Sequence, residues 1–140
     1  MITYAVISFL IGFIKVQLET IQIIYHKIET IKPDNEDKII NLSYQIHNFY
    51  SAIEDIFKEI NKIFETDIEQ NISYHKDLLL RMKLDMPGFR PAFISTEVYN
   101  ILSEILRFRH MFRHAYNYTI DPVKLMMVKK NIIEVSPLLY

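Results

Sequence analysis

The sequence contains no cysteine and only two glycines, and both shortages exclude classes of functional site. Without cysteine the chain forms no disulfide framework, no thiol nucleophile and no cysteine-based zinc site. Gly12 and Gly88 lie far apart, whereas the phosphate-binding loops of Walker and Rossmann proteins need clustered glycines. The nucleophile elbow of many hydrolases is excluded for the same reason. The absence of cysteine fits a reducing compartment, and we expect a cytoplasmic protein.

An excess of charge of one sign is also lacking. The formal net charge is -1, so a nucleic-acid site has to be a local patch rather than a property of the whole surface. Half of the residues are hydrophobic, which is enough to bury a substantial core. A chain of 140 residues is expected to form one domain, residues 1–140.

Helical periodicity runs through most of the chain, and no long stretch alternates polar and apolar residues as a strand does. Prolines at Lys32–Pro33 and in Asp85–Pro91 interrupt it. The pattern predicts helices over about 3–31, 37–64, 74–84, 95–118 and 122–133. Ser136–Pro137 is expected to end the last helix and to leave a frayed tail. We therefore predict an all-α fold, an up-and-down bundle of four to five helices.

Two of these helices carry clear local signals. Asp34 or Asn35 is a candidate cap for the second helix, and Ser95 or Thr96 for the fourth. The second helix has a stripe of apolar residues at alternating steps of three and four, which predicts a buried bundle face. The stripe comprises Ile39, Leu42, Ile46, Phe49, Ile53, Ile56, Ile60 and Ile63.

The N-terminal stretch from Ile2 to Ile14 is uncharged and mostly apolar. It is shorter than the ~20 residues that span a bilayer. It also lacks the basic segment of a signal peptide. Because the apolar spacing continues to Ile28, we predict a packed helix whose first turns form an interface, and no membrane insertion.

Most of the concentrated polar chemistry lies near the end of the fourth predicted helix, Ser95 to Tyr118. On a helical wheel of ~100° per residue, its apolar side chains fall on one side. The cations and imidazoles follow in an arc of roughly 160° from the edge of that apolar face outward. The arc contains Arg109, Arg113, Asn117, His110, His114 and Arg107.

The residues from Arg109 to Tyr116 form the pattern Arg-x4-His-x-Tyr. In this respect the chain resembles the HEPN superfamily, and more closely the HepT-like ribonuclease toxins. Their hallmark is an arginine four to six residues before a histidine, often followed directly by a polar residue, here His110. The resemblance extends over roughly residues 38–125 and includes three blocks in the family's order. These blocks are His47–Glu54, Pro87–Pro91 and Arg107–Tyr116.

The resemblance implies metal-independent cleavage of RNA, a reaction that needs a base, an acid and a cation for the phosphate. Histidine transfers protons near neutral pH, and arginine offers a fork of donors that matches phosphate oxygens. We assign proton transfer to His114 and phosphate binding to Arg109. His110 is expected to orient or assist, and Arg113 to hold a flanking phosphate.

A straight helix separates Arg109 from His114 by ~140° around its axis. Two copies facing each other would close a site around one phosphate, and the resemblance implies such a homodimer with a shared cleft. The substrate would be an RNA such as a tRNA or an mRNA. The alternative is an exposed helix face on which the cations are solvated or pair with Glu54, Asp55 or Glu104.

Tyr116 lies ~20° from Arg109 on the wheel, beside the predicted site. In the HepT-like group with this motif, a partner nucleotidyltransferase antitoxin transfers AMP to this tyrosine. A bulky anion there would neutralise Arg109 and block the phosphate site. The alternatives are a tyrosine packed by its ring and, for the whole protein, a non-catalytic HEPN-like subunit that binds a nucleotidyltransferase.

His110 and His114 are four residues apart, a spacing that allows two histidines to bind a metal from one helix turn. Zinc needs at least a third ligand, and no HExxH glutamate is present. His26, His47 and His75 lie in other predicted elements, and no spacing connects them to this pair. We therefore expect neither a metal nor a cofactor.

Overall fold

The computed structural model describes residues 3–64, 73–88, 91–113 and 122–139, except for the side chains of 112, 113, 122, 138 and 139. Within these ranges the regular structure consists of helices, as predicted. The five helices are α1 (Tyr4–Thr30), α2 (Glu36–Phe64), α3 (Tyr74–Lys83), α4 (Thr96–Arg113) and α5 (Pro122–Leu139). The all-α bundle is therefore confirmed. The predicted extension of the fourth helix to Tyr118 lies outside the described residues.

Side-chain caps begin two of these helices where the sequence predicted them. The Oδ1 atom of Asn35 accepts a hydrogen bond from the Lys38 amide at 2.9 Å, at the start of α2. The Oγ atom of Ser95 accepts one from the Val98 amide at 3.1 Å, at the start of α4. Each bond satisfies one amide that the first turn of a helix leaves without a partner.

Helix α2 forms the centre of the bundle and contacts each of the other four helices. Six members of its predicted apolar stripe are buried: Leu42, Ile46, Phe49, Ile53, Ile56 and Ile60. Tyr50 and Phe57 are buried beside them, so the buried surface of α2 is wider than a single seam. This width lets α2 pack against helices on more than one side.

Helix α5 continues to Leu139, and the prediction that Ser136–Pro137 ends it is wrong. A proline removes one hydrogen bond and crowds the preceding turn, which normally ends or kinks a helix. Here Ile132, Val135 and Ser136 are buried against the rest of the bundle. Packing of that turn therefore holds the helix through the position that the local sequence disfavours.

Helix α1 packs along α2 through buried residues such as Ile21 and Ile28. The Lys129 ammonium on α5 also donates a 2.8 Å hydrogen bond to the Ile31 carbonyl at the end of α1. Much of α1 is nevertheless exposed, including the apolar side chains of Phe9 and Val16. By length and composition alone α1 could cross a membrane, a property that core helices and signal sequences share. The cytoplasmic location stays a prediction.

The connection after α3 is tied back to that helix. The Met82 carbonyl accepts hydrogen bonds from the amides of Phe93 at 2.9 Å and Ile94 at 3.2 Å. Gly88 turns the chain with a φ of 79°, a conformation that favours glycine. These contacts hold the start of α4 beside α3, so that both helices line the region described next.

Candidate functional site

Arg109, the arginine of the predicted motif, is buried. Its side chain is only 8% exposed, although the helical wheel placed it at the edge of the apolar face. Helices α2 and α3 pack against α4 and cover this position. A guanidinium at such depth needs a counter-charge or hydrogen-bond acceptors, because burying an uncompensated charge is costly.

The counter-charge is Glu54 on α2, whose side chain is 3% exposed. The Arg109 Nη1 atom lies 3.6 Å from Glu54 Oε1 and has no hydrogen-bond partner among the described residues. The contact is therefore an ion pair without a hydrogen bond. The Lys58 ammonium approaches the same carboxylate oxygen at 3.8 Å from the solvent side. Two cations thus surround one buried carboxylate.

His75 on α3 completes this cluster. Its Nδ1 atom lies 2.9 Å from Glu54 Oε1 and 3.0 Å from Oε2. An ionised carboxylate only accepts hydrogen bonds, so Nδ1 carries the hydrogen and donates it. The His75 side chain is 35% exposed and spans from the buried carboxylate to the surface. The sequence alone does not identify His75 as a site residue, because nothing in its spacing connects it to the motif on α4.

The ring of Tyr50 on α2 lies under the guanidinium, with Arg109 Cζ 5.3 Å from the ring centroid. This distance is within the range of a cation–π contact. Tyr50 is fully buried, and within the described part of the chain its hydroxyl has no hydrogen-bond partner. Burial strongly raises the pKa of this hydroxyl, and the Glu54 charge raises it further, while Arg109 partly opposes both. Tyr50 therefore stays neutral and supports Arg109 through its ring.

A pocket of about 470 Å³ opens over this cluster, between α3 and α4. Five of its lining residues are cationic or carry an imidazole: His75, Lys76, Arg107, Arg109 and His110. Leu79, Leu106 and Tyr99 supply an apolar and aromatic wall. A pocket with several cations beside an apolar wall suits an anionic ligand that also has a flat apolar part.

The structure brings two of the predicted site residues, Arg109 and His110, to the same pocket. His114, Tyr116 and the side chain of Arg113 lie outside the described residues, so their roles stay predictions. Within the described ranges, no group of three or more histidine, aspartate and glutamate side chains is arranged to hold a metal ion.

Two of the ion pairs anticipated as the alternative to a catalytic role are formed. Arg109 pairs with Glu54 in the interior, and Arg107 pairs with Glu104 on the surface at 2.7 Å. The surface pair is more than half exposed at both residues, so it contributes little to stability. The buried pair has a different character, because Arg109 also lines the pocket.

A comparison with protein families agrees with the motif. Residues 41–140 match a family model described as HepT-like protein. The match includes Glu54, His75, Arg109 and the whole Arg-x4-His-x-Tyr pattern, whereas α1 lies before it. Searches of curated proteins and of solved structures gave no match. Since the match spans more than half of the chain, the protein belongs to the HepT-like family of the HEPN superfamily.

Proposed function

We propose that this protein is a metal-independent endoribonuclease toxin whose partner is a nucleotidyltransferase antitoxin. The observation that carries the proposal is the position of Arg109 and His110 in one cationic pocket. The last described residue of α4 is Arg113, so the motif histidine His114 follows it directly in the sequence. Family membership supports the same proposal, since HepT-like proteins are generally nucleases.

In the proposed reaction, Arg109 binds the scissile phosphate and stabilises the charge that develops on its oxygens. His114 transfers a proton, His110 orients the phosphate, and Arg113 holds a neighbouring one. A straight helix continued to His114 would place that residue ~140° from Arg109 around the axis, so we propose that a second copy of the chain closes the site. The protein then acts as a homodimer with the RNA in the cleft between the copies.

The first experiment incubates the purified wild-type protein with total RNA in EDTA and follows cleavage on a gel. We expect cleavage without any metal, because proton transfer and a guanidinium suffice for the reaction. The His114→Ala variant should cleave at least about 100-fold more slowly than the wild type, the loss typical of a missing acid or base. A suitable control is His26→Ala, which changes an exposed histidine on α1 that is not among the residues lining the pocket.

Equal cleavage by the wild type and His114→Ala would contradict the role of His114. No cleavage by the wild type, together with an intact mass that shows no modification, would contradict the ribonuclease itself. The mass is essential, because a toxin already modified at Tyr116 would also be inactive.

A second prediction concerns the partner. Coexpression with the proposed partner nucleotidyltransferase should add the mass of AMP to the wild-type protein and nothing to Tyr116→Phe. The physical reason is that the hydroxyl oxygen of Tyr116 is the proposed acceptor of AMP. Phenylalanine keeps the ring but lacks this oxygen. Intact-mass spectrometry of both proteins measures this. A silenced wild-type toxin that carries no added mass would show that neutralisation works by complex formation instead.

The second candidate function is a non-catalytic subunit that binds a nucleotidyltransferase. The burial of Arg109 and its pairing with Glu54 favour this candidate, because a structural guanidinium needs no substrate. It predicts that the purified, unmodified protein cleaves no RNA but still binds the transferase. The assay in EDTA therefore separates the two candidates directly.

A further inference from the structure

Metal-free cleavage of RNA needs two proton transfers, one from the attacking 2′-hydroxyl and one to the leaving 5′-oxygen. The proposed function assigns only one of them, to His114. Building on that function, we propose that His75, oriented by Glu54, is a catalytic residue and the general base that takes the proton from the 2′-hydroxyl.

The first observation is the way in which His75 is held. Its Nδ1–H is shared between both oxygens of a carboxylate that is itself almost fully buried. Such a bond fixes both the tautomer and the plane of the ring, as the carboxylate does in a catalytic triad. In this tautomer Nε2 has a free lone pair and can accept a proton. A surface histidine without a catalytic role is hydrated by water and needs no buried carboxylate as a hydrogen-bond partner.

The second observation is the place of His75 beside Arg109. Both side chains contact the same oxygen, Glu54 Oε1, from different helices, and both line the same pocket. A phosphate that binds Arg109 in this pocket would therefore share the pocket with the imidazole. Glu54, His75 and Arg109 lie on the helices α2, α3 and α4 rather than on loops.

The third observation is the charge around the pair. The Arg109 guanidinium and the Lys58 ammonium lie 3.6 and 3.8 Å from the carboxylate and supply its counter-charge. Several further titratable and charged groups surround the pair or line the pocket over it. They are Tyr74 and Lys76 on α3, and Tyr99, Arg107 and His110 on α4.

The step is balanced without any further reactant. The neutral His75 accepts the 2′-hydroxyl proton at Nε2 while the 2′-oxygen forms a bond to phosphorus. The bond from phosphorus to the 5′-oxygen breaks, and that oxygen takes a proton from His114, which has one proton transfer in the proposed function and acts here as the acid. The products are a 2′,3′-cyclic phosphate and a free 5′-hydroxyl, and Glu54 stabilises the imidazolium that forms. Exchange with water restores both histidines.

The test compares full-length wild type, His75→Asn and His114→Ala on two substrates, in EDTA and over a range of pH. The amide of asparagine replaces the donor to Glu54 but cannot accept the proton, so the cluster stays satisfied. One substrate is an ordinary oligoribonucleotide. The other has sulfur in place of the 5′-bridging oxygen, and this leaving group needs no acid. His26→Ala serves as the control for histidine substitution outside the pocket.

We expect His75→Asn to cleave both substrates at least about 100-fold more slowly than the wild type. On the sulfur substrate, His114→Ala should cleave at the wild-type rate, because its leaving group needs no acid. His75→Asn should stay slow on this substrate, because the base is still needed. The rise of the wild-type rate with increasing pH, which reports deprotonation of the base, should be absent from His75→Asn.

Three results for His75→Asn would overturn the role of His75. They are cleavage at the wild-type rate, a rate that the sulfur substrate restores, and a rate that still rises with pH as in the wild type. In each of these cases the wild type still cleaves, so the proposed function stands. No cleavage by the unmodified wild type would overturn both proposals together.

Discussion

Arg109→Ala should abolish growth arrest on expression and slow RNA cleavage by about 100- to 1000-fold, the usual loss when one transition-state donor is removed. Arg109 lies where the motif and the pocket coincide, and alanine supplies neither charge nor donors. Cell growth after induction and cleavage rates in EDTA measure the two effects.

A fold defect has to be distinguished from a chemical one, because Arg109 also pairs with Glu54. Arg109→Lys provides this distinction. A lysine keeps a positive charge near Glu54 but lacks the planar fork that binds two phosphate oxygens. We expect a folded protein, judged by circular dichroism, that still cleaves slowly. Full growth arrest in both variants would contradict a catalytic role for Arg109.

Glu54→Ala should lower the free energy of unfolding by about 3–5 kcal/mol, which is the loss typical when one partner of a buried ion pair is removed. The Glu54 carboxylate is the counter-charge of the buried Arg109 and the acceptor for His75 Nδ1. Without it, the guanidinium stays in the interior beside the Tyr50 ring and has lost its counter-charge. Urea unfolding of the two proteins measures the difference.

The chain offers a matched control for this prediction. Glu104→Ala removes a closer glutamate–arginine contact, 2.7 Å to Arg107 against 3.6 Å in the buried pair, but both of its residues are exposed. Its removal should cost at most about 1 kcal/mol. A double variant, Glu54→Ala with Arg109→Ala, should be less destabilised than the sum of the single variants, because it leaves no unpaired buried charge. A Glu54→Ala variant as stable as Glu104→Ala would show that the cluster does not hold the fold together.

The helices were predictable because their signals are local. The caps at Asn35 and Ser95 and the apolar stripe of α2 depend on residues within a few positions of each other. Pro137 marks the limit of such signals. A proline weakens a helix wherever it occurs, but whether the helix continues depends on the burial of Val135 and Ser136, which distant residues provide.

The candidate site was only half predictable for the same reason. The motif on α4 identified Arg109 and His110, since their spacing belongs to one helix. His75 contacts Glu54 across 21 positions of sequence, and no periodicity within either helix links them. The helical wheel also placed Arg109 at the edge of an exposed arc and did not predict its burial. A wheel describes one helix and not the neighbouring helices that cover it.

By itself, the sequence therefore determined the helices, the buried stripe of α2 and the motif that shows the resemblance to HepT-like proteins. Only the tertiary structure decided that Arg109 is buried, that Glu54 is its counter-charge and that His75 shares this carboxylate. The physical reason is that hydrogen-bonded turns and amphipathic faces arise between near neighbours in the chain. A charge cluster, by contrast, exists only after separate helices have packed, and its residues need no common spacing.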